Sequence, residues 1–173
     1  MPPTKLRREI EPRWVSEYIV KHYPKYPVKL RCPLGPIPEE LKKMHGEEKA
    51  IRVYRPWRPE VDALVILPGA LLLVEAKIFK YMDGLSKLPV YASLVPATPE
   101  LKEYKRLPVK MQLLVPVDIP WVRTACEKMD VQMVVWAPDW LKKIWEERDK
   151  YWSPEELIKR EKRKQVLRRL GFD

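Results

Sequence analysis

Residues 62–77 read Asp62-Ala-Leu-Val-Ile-Leu-Pro68-Gly69-Ala-Leu-Leu-Leu-Val-Glu75-Ala76-Lys77, and their reading decides the fold. Two apolar runs flank a central Pro-Gly, which is the pattern of strand, turn and strand. With Pro68 and Gly69 as the turn, Leu67 faces Ala70 and Ile66 faces Leu71. Counting outward places Asp62 opposite Glu75. Side chains alternate along a strand, so Glu75 and Lys77 share a face. Two carboxylates and an ammonium then converge at one end of an oily hairpin, a composition suited to a hard divalent cation with a cationic helper. The register depends on the turn. Pro-Gly suits a type II turn, whereas the tightest hairpins favour a positive φ at the first central residue, which proline cannot adopt. A longer loop or a bulge shifts the pairing by one residue.

The segments Arg58-Pro59-Glu60-Val61-Asp62 and Val74-Glu75-Ala76-Lys77 resemble the core motif of the PD-(D/E)xK nuclease superfamily. That superfamily includes restriction endonucleases, Holliday-junction resolvases, phage exonucleases and repair nucleases. The resemblance covers residues 10–136 in order of elements and only a few residues in identity. Glu60 and Val61 separate proline from aspartate, a departure from the commonest form. The resemblance implies a three-layer α/β core with a mixed sheet of four to five strands flanked by helices. It implies magnesium, with manganese substituting, held by Asp62, Glu75 and the Ala76 carbonyl. It also implies an acid on the first helix and a polar or basic contact to phosphate from the helix after the Glu-Ala-Lys strand.

The chain has 173 residues, long enough for one domain with a substantial core. Hydrophobic residues make up 46 %, which excludes a disordered chain. The net charge of +10 favours polyanionic partners, nucleic acid foremost, though a lysine-rich soluble surface has the same balance. Cys32 and Cys126 lack metal-ligand spacing, as do His22 and His45, so both thiols are expected to be buried in a reducing compartment. No apolar run reaches transmembrane length and no leader is evident, so a cytoplasmic location is expected. Absent asparagine, few glutamines and 19 prolines form a heat-adapted composition.

Along the chain, a helix is expected from Glu11-Pro12 to Tyr23, with Pro12 near its first position and Trp14, Val15, Tyr18, Ile19 and His22 facing inward. Residues 24–49 read as a proline-rich connection containing a short helix at 38–42. Ala50–Tyr54 reads as the first strand, 61–67 and 70–79 as the hairpin, and both faces of the hairpin require cover. A helix follows at 86–95, with Pro89 tolerated only in its first turn. Then come a strand at 109–117, a helix at 119–129 capped by Asp118, a strand at 131–136 and an amphipathic helix at 139–151. Ser153-Pro154-Glu155-Glu156 is a capping box opening a basic helix, residues 153–171, at the end of a single domain. The order is that of an α/β sandwich around a mixed sheet.

Each candidate site residue has a blander reading beside its functional one. Asp62 is a metal ligand, or a solvated carboxylate paired with Arg55 or Arg58. Glu75 ends four apolar residues, where a carboxylate needs a ligand role or a salt bridge. Lys77 stabilises charge on the phosphate and orients water, or simply neutralises the acids. Glu17 is the candidate helix-borne acid, with Glu9 and Glu11 competing. Lys80, Lys87 and Tyr91 are candidate DNA contacts, or surface and packing. Arg160, Arg163 and Lys164 of the last helix track a DNA backbone, or form a solvated helix face. The tryptophans stack on bases or, at helical spacing, form core. The expected function is metal-dependent hydrolysis of DNA phosphodiesters, most readily by an endonuclease, as a homodimer by analogy with relatives. The alternative is a catalytically inactive nuclease-fold binding module or a viral assembly protein.

Overall fold

A computed structural model describes residues 4–151 and 154–171, with the side chains of 10–147, 155 and 157–171. Two compact units result, Met1–Trp136 and Ala137–Asp173. The first holds a five-stranded mixed sheet in the order β1-β2-β3-β4-β5. Its strands are β1 (Val28–Pro33), β2 (Glu60–Leu67), β3 (Ala70–Ala76), β4 (Val109–Val115) and β5 (Val131–Val135). β2 runs antiparallel to both its neighbours, β1 and β3, and β4 and β5 are parallel to β3. The fold class is the expected one, an α/β mixed sheet flanked by helices.

The hairpin register is the one the turn dictates: Leu67 pairs with Ala70, and the ladder runs to Ala63 opposite Val74. Gly69 has φ +76°, which suits the third position of a type II turn behind Pro68. Every residue of β3 is buried, as a central strand covered on both faces requires. One face is covered by α4 (Tyr81–Leu94) and α5 (Pro120–Lys128), the crossover helices of the parallel strands. Leu85 and Leu88 from α4 and Val122 and Cys126 from α5 pack there with Leu71, Leu73 and Leu113. The other face is met by α1 (Thr4–His22), whose Tyr18 hydroxyl donates to Gln112 Oε1 at 2.9 Å. Trp14, Val15, Tyr18 and Ile19 are buried as expected, and Trp14 Nε1 donates to the Trp136 carbonyl. His22 is exposed at the stripe's end, its ring 4.4 Å from Tyr18.

Several local expectations are corrected. Ala50–Tyr54 is not a strand but the second half of α3 (Glu47–Tyr54), which follows α2 (Glu39–His45). Glu47 and Glu48 in its first turn favour a helix N-terminus, and that context outweighs the β-branched residues. The first strand lies instead at 28–33 inside the proline-rich connection, at a sheet edge, where Pro33 costs no ladder bond toward solvent. Pro12 and Pro89 both sit inside helices rather than in first turns, each removing one backbone hydrogen bond that the surrounding packing offsets. Asp118 makes no cap bond; Ile119 occupies the N-cap of α5 and Asp118 pairs with Arg123 at 3.0 Å.

The second unit contains α6 (Asp139–Tyr151) and α7 (Pro154–Arg169), at the expected positions. Ser153 and the Glu156 side chain of the capping box lie outside the described residues. Among the described residues, no helix is long and apolar enough to cross a membrane.

Candidate active site

Past Ala63–Val74 the hairpin ladder gives way to a side chain. Asp62 Oδ2 accepts a hydrogen bond of 2.8 Å from the Ala76 amide, fixing the carboxylate over the end of β3. Glu75, next along that strand, is 2 % exposed. Lys77 returns to the same face and places Nζ 3.1 Å from Glu75 Oε1. The other oxygen, Glu75 Oε2, is buried and has no hydrogen-bond partner among the described residues. Asp62, Glu75, Ala76 and Lys77 are therefore brought together as the alternation of the two strands requires.

Among the described residues of α1, Glu11 is the acid that reaches Lys77. Its Oε2 lies 3.8 Å from Lys77 Nζ and its Oε1 accepts from the Ile78 amide at 3.5 Å. Glu17, the expected residue, instead pairs with Arg13 at 2.9 Å on the same helix. The Glu9 side chain lies outside the described residues. The spacing Glu11, Val15, Tyr18 shows why: Glu11 continues the face of Val15 and Tyr18 by one turn, and α1 begins at Thr4 rather than at the expected Glu11-Pro12, so Glu11 lies within the helix.

Lys80 is exposed at the N-cap of α4 in a left-handed conformation, φ 39°. Lys87 is half-buried and bonded to Asp83 at 2.8 Å, and its charge is felt by Glu11, Asp62 and Glu75. Tyr91 is not a surface contact: at 6 % exposed it belongs to the core, where its field comes from Glu75 and Asp62. Arg163 and Lys164 are exposed and Arg160 is half-buried, all on α7 in the second unit. Arg58, one reading of Asp62's partner, instead bonds Glu100 at 2.6 and 2.8 Å.

Arg31 had no sequence signal, because β1 was not legible. Continuing the β1–β2 register places it opposite Asp62, with φ +48°. A cleft of about 110 Å³ lined by Pro12, Val15, Ser16, Leu30, Arg31 and Asp62 opens beside the aspartate.

The electrostatics follow from burial. Desolvation and the neighbouring Asp62 charge push Glu75 up to about 7, against the pull of Lys77. Desolvation also raises Asp62, against the Ala76 amide and Lys77, and raises Glu11 against Lys77. Burial opposes the Lys77 charge, but Glu75, Glu11 and Asp62 outweigh it and hold the ammonium above its ordinary range. Burial, then Glu75 and Asp62, push the Tyr91 hydroxyl up to about 12. Buried Glu75 and half-buried Asp62 and Glu11 surround Lys77, with Lys87 and Arg31 acting on them more weakly, so the acids crowd one another. Among the described residues no three His, Cys, Asp or Glu groups are arranged as a metal cage. Magnesium does not need one: it keeps several waters and takes one or two carboxylates. Asp62 and the unpartnered oxygen of Glu75 fit that demand.

No protein-family model matches the chain, and no curated protein matches it in sequence. Among solved structures, it is similar to the crystal structure of a repair endonuclease from Pyrococcus abyssi, with a TM-score of 0.45 and 16 % identity. The match covers 73 % of this chain and 46 % of that one, so the chain spans less than half the length of that protein.

Proposed function

We propose that the chain is a metal-dependent nuclease that hydrolyses DNA phosphodiester bonds, as an endonuclease. The observation that carries the reading is the convergence of Asp62, buried Glu75 and Lys77, with one Glu75 oxygen left without a partner among the described residues. A buried carboxylate oxygen costs free energy unless a cation or donor meets it. Asp62 and Glu75 would hold magnesium, or manganese in its place, with the Ala76 carbonyl completing the ligands. When bound, the ion supplies charge neutralisation at the phosphate and an acidified water.

Lys77, kept protonated by three acids, stabilises charge developing on the phosphate and orients the water; it is not a free base. Glu11 takes the supporting role expected of Glu17, because it holds Lys77 and the Ile78 amide. Lys80 at the N-cap of α4 and Lys87 further along it would meet the phosphate backbone, and Arg160, Arg163 and Lys164 would add salt-sensitive affinity. A homodimer would present two such sites to two strands.

The test is cleavage of labelled linear, circular, single-stranded and four-way-junction DNA with magnesium, manganese or chelator, beside Lys77→Ala. Metal-dependent cutting that disappears in the variant is expected. No cutting of any substrate, with binding retained, would replace this reading with that of a binding module.

A further inference from the structure

Trp57 is the most exposed aromatic ring named in the first unit, at 70 %. It is not isolated. Tyr54 lies parallel to it, with ring centroids 6.0 Å apart and 16° between planes. α3 ends at Tyr54 and a single 3-10 turn, Arg55–Trp57, sets the tryptophan beside it. Arg52 and Arg55 flank the pair and are exposed. Arg55 reaches away from the rings to Glu60 at 3.1 Å and to the Arg31 carbonyl at 3.0 Å. Arg31 in turn stands opposite Asp62 in the β1–β2 register. Trp57 precedes Asp62 by five residues, so the two are at most about 18 Å apart along the chain.

We infer that the Tyr54–Trp57 pair is a stacking platform for an unpaired DNA base on the strand whose phosphate occupies the Asp62–Glu75–Lys77 site. Exposing a large ring to water is unfavourable, and Tyr54 holds it in a fixed orientation rather than burying it. A π-face beside arginines on a chain of net charge +10 has the chemistry of single-strand binding, where bases stack and cations meet phosphates. Paired bases offer no free face, so the platform selects DNA with unpaired nucleotides next to the cut. The inference rests on the nuclease reading for its ligand class.

The test is binding of labelled oligothymidine and of a blunt duplex of equal length, in chelator so that nothing is cut. Trp57→Ala is expected to weaken the single strand about tenfold and leave the duplex unchanged. The slope of affinity against salt stays the same, because a neutral ring releases no counterions. Trp57→Phe restores most of the loss. Unchanged single-strand affinity in Trp57→Ala overturns the inference, as does an equal loss for duplex. A change of oligomeric state with DNA affinity intact overturns it in favour of a protein contact. If Trp57→Ala behaves as expected while no substrate is ever cut, the platform stands and the nuclease reading fails.

Discussion

Glu75 puts a carboxylate where the strand is otherwise hydrocarbon, and its charge state depends on pH accordingly. Its folded pKa lies near 7, above the ordinary 4.5, so between those values the folded chain binds more protons than the unfolded one. Stability from this group is therefore greatest below pH 4.5 and falls as pH rises through 7, by on the order of 3 kcal/mol. That is the reverse of the usual carboxylate. Glu75→Gln should flatten the stability profile over this window, as read by urea unfolding at several pH values; superimposable profiles would show that Glu75 is ionised throughout. Lys77→Ala leaves Glu75 buried without its nearest cation. The expected cost is about 3 kcal/mol at alkaline pH, shrinking in acid as Glu75 takes up a proton. Equal losses at pH 5 and pH 9 would contradict the pairing.

At the scale of elements, α4 touches the site through a missing side chain. A Cβ on Gly84 would lie 2.6 Å from Lys77 Cγ and 2.9 Å from Leu113 Cδ1. Gly84→Ala should push Lys77 out of place and lower cleavage by about tenfold or more, since small misplacements are costly in catalysis. Overpacking should cost about 1–3 kcal/mol, partly offset by the better helix propensity of alanine. Unfolding and cleavage measured on the same preparation separate the two, and undiminished cleavage would mean the lysine repacks without harm. The hairpin was legible because its turn, its alternation and its buried carboxylates agree on one register. β1 was not, because Val28-Lys-Leu-Arg-Cys-Pro33 is short, a third charged and bracketed by proline, and its pairing is supplied by β2 rather than by its own pattern. The choice of Glu17 over Glu11 has a similar source: a helix expected to start at Glu11-Pro12 leaves Glu11 at its end, whereas α1 starts at Thr4 and carries Glu11 within it.

For the whole molecule, the charge of +10 sets how binding responds to salt. Affinity for DNA should fall linearly with salt on logarithmic axes. Replacing Arg160, Arg163 and Lys164 by serine should reduce that slope by about 0.9 for each residue that meets a phosphate. Titrations across a salt series read this directly, and an unchanged slope would return α7 to the role of a solvated face. Composition points to a polyanionic partner but to no footprint, because a count of charges carries no positions. The layered architecture was legible from the order of periodic segments, and the boundary between units at residue 136 coincides with a rise in charged residues, from 39 of the first 136 to 19 of the last 37.

The edge position of β1 has a consequence for crowded or heated protein. An edge strand offers its outer N–H and C=O groups to any other chain, and long flat edges grow into fibrils. Here prolines stand at or beside both ends, Pro27 and Pro33, and Arg31 turns left-handed in the middle. The same residue that faces Asp62 across the sheet thus breaks the row that a foreign strand would copy, so the margin nearest the acids is also guarded against self-templated growth.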